Sequence, residues 1–194
     1  MKIALLALAL LSGANAATAA GMRSDIVEGN AGSPVKVLIY EDLQCSDCAR
    51  FAQMLDEKLV PRYGARVAFI HRDFPLGKHD WALPAAIAAR WVYEQNPRLG
   101  LVMRRELLAE QNNITAQNLK AWLTEFAARN QLDPKGILDS LADRRLATLV
   151  DQDRQGAVGR GLSRTPTAFV GGLPFVENII YEEIARAIDD ALAK

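Results

Sequence analysis

The chain has 194 residues, half of them hydrophobic and 24% charged, with 23 basic side chains against 23 acidic ones. That length and balance suit one globular domain with a sizeable core. Formal neutrality supplies no basic field for nucleic acid or an anionic membrane surface, and no repeat or low-complexity tract suggests an array.

The first twenty residues carry the marks of export. Lys2 is a minimal positive start, Ile3 to Leu11 is an unbroken apolar run, and Ala14-Asn15-Ala16 and Ala17-Thr18-Ala19 are small-x-small cleavage signals. The sequence therefore predicts a signal peptide over 1–19, cut after 16 or 19, and a single domain over 20–194. The apolar run is too short to span a bilayer, which needs roughly 20 such residues; the alternative is a buried N-terminal helix. Export implies an oxidising compartment, where disulfides persist. Met22 to Ser33, with Gly29 and Gly32, reads as a leader into the first strand.

Val35 to Tyr40 is an apolar, β-branched run that predicts a buried strand. Cys45-Ser46-Asp47-Cys48 follows it and holds both cysteines of the chain. Cys48, Phe51, Ala52, Leu55 and Leu59 recur at helical spacing, so the pair sits where a strand turns into a helix, with Cys45 at the helix N-terminus. The unpaired N–H groups and the macrodipole favour an anion there. A thiolate is such an anion, and it is the nucleophile of disulfide exchange. Two structural alternatives compete. A purely structural bridge closing so short a loop would remove little chain entropy. A soft-metal module could use the two thiolates for Cu(I) or Zn, but a second ligand pair is missing. Neither a metal nor an organic cofactor is expected.

The helix should stop near Pro61, with Tyr63-Gly64 closing it. Arg66 to His71 predicts a second strand, and strand–helix–strand predicts a parallel pair. A helical stretch follows: an alanine-rich stripe through Ala82, Ala85, Ala86, Ala89 and Val92, then Leu99 to Glu110. Thr115 is a candidate N-cap for a helix through Leu119, Trp122, Leu123 and Phe126. Asp133-Pro134 opens another, and Leu146, Leu149 and Val150 carry the spacing on toward Gly156. Trp81, Trp91 and Trp122 read as core packing. Thr165 to Val170 predicts a strand begun by X-Pro, Gly171-Gly172 a hairpin, Leu173 to Val176 its return, and Glu182 to Leu192 a closing amphipathic helix. His71 reads as structural and His79 as a cap or packing residue, neither having the partners of a Cys–His catalytic pair.

The order of strand, CxxC at a helix start, second strand, helical insertion, Thr165-Pro166-Thr167 and Gly-Gly hairpin resembles the DsbA family of thioredoxin-fold thiol–disulfide oxidoreductases of the bacterial envelope. Arg72 to Leu76, with His79 and the alanine-rich helix, is similar to that family's entry into its insertion. The resemblance implies an α/β thioredoxin fold, a central mixed sheet flanked by helices, with parts 34–76 and 160–194 and an all-helical insertion 77–159. It implies that Cys45 attacks and Cys48 resolves, that Pro166 is cis against the disulfide, and that Thr165 beside it pairs with extended substrate. It also implies exported cysteine-containing proteins as substrates, a membrane-bound recycling partner and a monomer. The activity it points to is disulfide introduction, with reduction or isomerisation as the alternative.

Three positions depart from the family. Ile39 stands where many members have a buried acid, with Glu41 and Asp42 nearby as possible substitutes. Asp47, which with Ser46 fills the space between the cysteines, should repel a Cys45 thiolate. Arg164 replaces the usual glycine before Thr-Pro-Thr and would favour the thiolate if it reached the site.

Overall fold

A computed structural model describes residues 25–194; the export-signal reading of residues 1–19 lies outside them. Five strands form one sheet in the order β1-β3-β2-β4-β5. Strand β2 (Lys36–Glu41) lies at its centre, parallel to β3 (Ala68–Asp73) and antiparallel to β4 (Thr167–Val170). Strand β5 (Leu173–Val176) returns from β4 through Gly171 and Gly172, both at positive φ, where a residue without Cβ is unstrained. This is the α/β architecture that the resemblance implies.

The leader reading of residues 22–33 is corrected. Strand β1 (Ile26–Gly29) runs antiparallel to β3 along the sheet edge. Its inward positions are Ile26 and Glu28, both buried. A glutamate in an inward position hides the strand's alternation, and Glu28 faces inward because His71 and Arg105 await it there.

Helix α1 (Ser46–Met54) runs on through a wider π-turn, Leu55–Leu59, into the short α2 (Val60–Tyr63), and Pro61, which has no N–H to donate, directly follows that wider turn. Phe51, Leu55 and Leu59 pack with Val37, Ile39 and Phe69 of the sheet and with Ile184 and Ile188 of α8 (Tyr181–Leu192). Between β3 and β4 lie five helices: α3 (Ala82–Gln95), α4 (Pro97–Ala109), α5 (Leu119–Arg129), α6 (Pro134–Ser140) and α7 (Arg144–Val158). Their core joins Trp81, Met103, Leu107, Leu123, Phe126 and Leu146, and it reaches Cys45 and Cys48. Helix α4 closes on α3 at Gly100, where an added Cβ would meet the Tyr93 backbone at 2.5 Å. Thr115 caps the turn before α5 rather than the helix itself, its hydroxyl accepting from Asn118 N–H at 3.2 Å.

A seam of charge ties the insertion to the sheet. His71 sits between Glu41 at 2.7 Å and Glu28 at 3.5 Å. Arg104 of α4 bridges Glu41 at 2.9 Å and Asp73 at 2.7 Å. Arg90 of α3 joins Asp73 at 2.5 Å to Asp153 of α7. All of these side chains except Glu28 are almost wholly buried, and each meets an opposite charge.

Candidate active site

Cys45 is the N-cap residue of α1, in extended backbone, with Cys48 one turn on. The chain reaches it from β2 through a turn that Asp42 holds: Cys45 N–H donates to the Asp42 carbonyl at 3.1 Å. The Cys45 sulfur lies 3.4 Å from the Thr165 carbonyl oxygen. The Thr165–Pro166 peptide bond is cis, and Thr165 is buried. Residues far apart in the chain thus meet at one sulfur.

The two thiols are pushed in opposite directions. The Cys45 pKa falls from 9.0 to about 5: a hydrogen bond from Cys48 is the largest cause, burial opposes it, and Thr165 and the N–H groups of Cys48 and Asp47 add to the fall. Cys48 rises well above 9.0, chiefly through burial, then through its bond to Cys45 and the charges of Cys45 and Glu41. The Asp42 N–H, 3.4 Å from the Cys48 sulfur, offsets part of that rise. The pair can therefore hold one negative charge and one proton, the state from which Cys45 attacks.

Ile39 is buried and apolar, but Glu41 lies two residues on along β2 and is the buried acid whose charge Cys48 feels. Burial favours the neutral Glu41 carboxyl, yet the charges of His71 and Arg104 and their hydrogen bonds hold it at about 2. Asp42 supplies an N–H to the sulfur rather than a carboxylate. Both acids thus contact the dithiol's surroundings, by different atoms.

The repulsive part given to Asp47 is corrected. Its carboxylate turns away to pair with Arg50 of α1, and its contribution to Cys45 is a backbone N–H that lowers the pKa. Arg164 pairs with Glu177 at 2.6 Å instead of reaching the sulfur. Ser46 opens α1 and lines the same cleft. That cleft, of ≈ 510 Å³, is lined by the start of the helix, the Ser163–Thr165 loop, and Leu76, Lys78 and His79. Among the described residues no group of three or more His, Cys, Asp and Glu side chains is arranged to hold a metal ion.

Three participants escaped the sequence reading. Gln111 reaches over from beyond α4, its side-chain amide donating to the Cys45 carbonyl at 3.4 Å. Gln44 accepts from Trp81 N–H at 2.9 Å and fastens the entry of the insertion to the cysteine turn. His79 is bonded to a carboxylate: its Nδ1 is 2.8 Å from Asp42 Oδ2. Assigning it to capping or packing missed this partner, because the two residues lie 37 apart in sequence.

Comparison with known proteins adds three findings. A family model described as thioredoxin matches residues 22–190. A Salinispora tropica protein named Na(+)/H(+) antiporter NhaA 3 is 32% identical over 170 residues, covering 87% of this chain and 25% of that protein. A Rickettsia prowazekii protein provisionally named a protein-disulfide oxidoreductase is 29% identical over 174 residues, covering 87% of this chain and 62% of that one. The chain thus spans between a quarter and about three fifths of these relatives. Among solved structures, Wolbachia pipientis alpha-DsbA1 superposes with a TM-score of 0.78 at 18% identity, covering 89% of this chain and 93% of that one. Oxidised BdbD of Bacillus subtilis also gives 0.78, at 20% identity, with 88% and 94% covered. At such identities the likeness is one of fold.

Proposed function

The chain belongs to the thioredoxin family, and from that premise we propose that it is a DsbA-like thiol–disulfide oxidoreductase acting through Cys45 and Cys48. The observation that carries the reading is the split between two thiols on one helical turn, Cys45 lowered to about 5 and Cys48 raised well above 9.0. A nucleophile needs its thiolate, and a resolving group needs to stay protonated until the mixed disulfide has formed.

In the oxidising direction a substrate thiolate attacks Cys45 Sγ, the Cys45–Cys48 bond breaks, and its electron pair leaves on Cys48, which takes a proton. A second substrate thiol then attacks the substrate sulfur of the mixed disulfide and releases the Cys45 thiolate. In the reducing direction Cys45 attacks and Cys48 displaces the product. A stabilised Cys45 thiolate stabilises the reduced protein, which makes its disulfide an oxidant. A value of about 5 falls between about 7 for thioredoxin and about 3.5 for DsbA, and supports disulfide introduction of intermediate strength. Its substrates are then cysteine-containing proteins exported to the periplasm. They pair beside Thr165 and cis-Pro166, and a membrane-bound partner reoxidises the dithiol. The protein works as a monomer and its redox group is the dithiol itself.

Reduction of insulin with dithiothreitol tests the activity. Cys45→Ser is expected to bring it to background. Cys48→Ser is expected to accumulate mixed disulfides on a non-reducing gel, and Cys45→Ser to accumulate none. Equal trapping by both variants would overturn the assignment. Equilibration in glutathione buffers then gives the direction of exchange.

A further inference from the structure

The cleft beside Cys45 is lined by a histidine bound to a buried carboxylate. Asp42 is the hub: Oδ2 accepts from His79 Nδ1 at 2.8 Å and from Leu76 N–H at 2.7 Å, and Oδ1 accepts from Gln44 N–H at 2.7 Å. The Asp42 carboxylate has no solvent exposure, while the His79 side chain keeps 16%. An acceptor fixed on Nδ1 places that nitrogen's proton toward Asp42, so the neutral ring carries its free lone pair on Nε2. His79 lines the cleft that also holds Cys45 and Thr165. An anchored imidazole with one nitrogen held by a carboxylate is the arrangement of an oriented general base. Capping a helix would require neither the buried carboxylate nor a place on the cleft wall, and α3 begins only at Ala82, with Trp81 at its cap.

Other charges around the ring are accounted for. Across the cleft, Asp47 pairs with Arg50 and Arg164 with Glu177. Lys78 and Asp80 flank it in the chain, and the Asp80 carboxylate accepts from Gln44 Nε2 at 3.1 Å. Asp151 and Arg154 of α7, which line a second cavity together with His79, pair with each other at 2.9 Å. The anion that bonds the ring is Asp42.

We propose that His79, oriented by Asp42, is the proton acceptor and donor for the substrate sulfur that enters or leaves at Cys45. The step rests on the exchange reading above. As a second substrate thiol attacks the mixed disulfide, its S–H proton passes to His79 Nε2. The new substrate disulfide forms, and the bond to Cys45 breaks with its electron pair left as the Cys45 thiolate. In reverse, the Cys45 thiolate attacks a substrate disulfide, and the protonated imidazole gives its proton to the departing sulfur. Asp42 holds the ring through Nδ1 in both directions.

The test uses the full chain with Cys48→Ala, prepared as the mixed disulfide of Cys45 with glutathione, and follows its release by added glutathione across pH. With His79 present the release rate is expected to fall much less steeply below about pH 8.5, the ordinary thiol value, than the thiolate fraction of glutathione does. Adding His79→Asn keeps an N–H for Asp42 but removes the titrating ring. The rate should then fall about tenfold per pH unit below about 8.5, leaving it about tenfold or more slower at pH 7. The Cys45 pKa and the glutathione equilibrium of His79→Asn protein should stay at wild-type values, since a proton shuttle changes rates and not end points. His79→Gln provides a second variant should the asparagine protein fold poorly. Superimposable pH profiles with and without the ring would overturn the proposal while leaving the exchange reading intact. A shifted Cys45 pKa with an unchanged slope would also overturn it, by making His79 a tuning group. Failure of the wild-type protein to exchange with glutathione at any pH would overturn both.

Discussion

The buried seam between the sheet and the insertion differs from the dithiol beside it in how charge is balanced. In the seam, Glu41 meets His71 and Arg104, Asp73 meets Arg104 and Arg90, and Asp153 meets Arg90 and Arg72. At the dithiol, the Cys45 thiolate is held by hydrogen bonds from Cys48 and from two backbone N–H groups. Charges that are both buried and matched are fixed in one state and serve the fold. A charge held only by hydrogen bonds stays available to attack. Cys48, within reach of the Glu41 charge, is where the two regions touch.

Breaking the seam should cost the most. Arg104→Leu strands Glu41 and Asp73 on the same side, and removing one member of a buried ionic network typically costs about 3–5 kcal/mol. The expected outcome is a large fall in the urea midpoint, with Cys45 still alkylated first in the folded protein. A normal midpoint would mean that the seam is not matched in the way described.

The second prediction is the seam's pH window. Burial pulls His71 down, but the charge of Glu41 and the bonds to Glu28 and Glu41 lift it from 6.5 to about 9. A raised pKa contributes stability that is complete below the unfolded value and is lost as pH rises through about 9. Glu41, lowered from 4.5 to about 2, contributes stability that is complete above 4.5 and is lost as pH falls through about 2. The seam is therefore at full strength between 4.5 and 6.5. In the Cys45–Cys48 disulfide form, where neither thiol titrates, denaturant midpoints should peak in that window and decline toward pH 9, by up to about 3 kcal/mol for His71. A midpoint that rises from pH 6 to pH 9 would contradict the His71 assignment.

The smallest effect is expected at Asp47. Its carboxylate is spent on a partly exposed pair with Arg50, and such pairs are worth about 0–1 kcal/mol. Asp47→Asn should move the Cys45 titration by less than about one pH unit. A larger shift would mean that the carboxylate acts on the sulfur after all.

The difference between the two regions also decides how much could be read in the sequence. The dithiol was legible because its signals are local: a β-branched run, two cysteines on one turn, apolar residues at helical spacing. Thr165-Pro166 was legible only through the family resemblance, since nothing local says that it meets Cys45. The seam was hidden because its members break the periodicity that marks a core. Glu28 disguised β1, His71 looked like a strand end, and Arg104 carries no apolar mark of a buried position. Their partners lie 30 to 63 residues away for Glu41 alone. His79 was hidden in the same way, its role depending on a carboxylate that the strand-to-helix turn brings to it.

The most direct test of the account is the ultraviolet titration of the reduced wild-type protein, with brief limiting alkylation to assign each thiol. The structure predicts one thiolate appearing at about pH 5 and mapping to Cys45, with Cys48 remaining a thiol beyond pH 9.0. Two thiols titrating together near the ordinary value of about 8.5, or first labelling at Cys48, would contradict it.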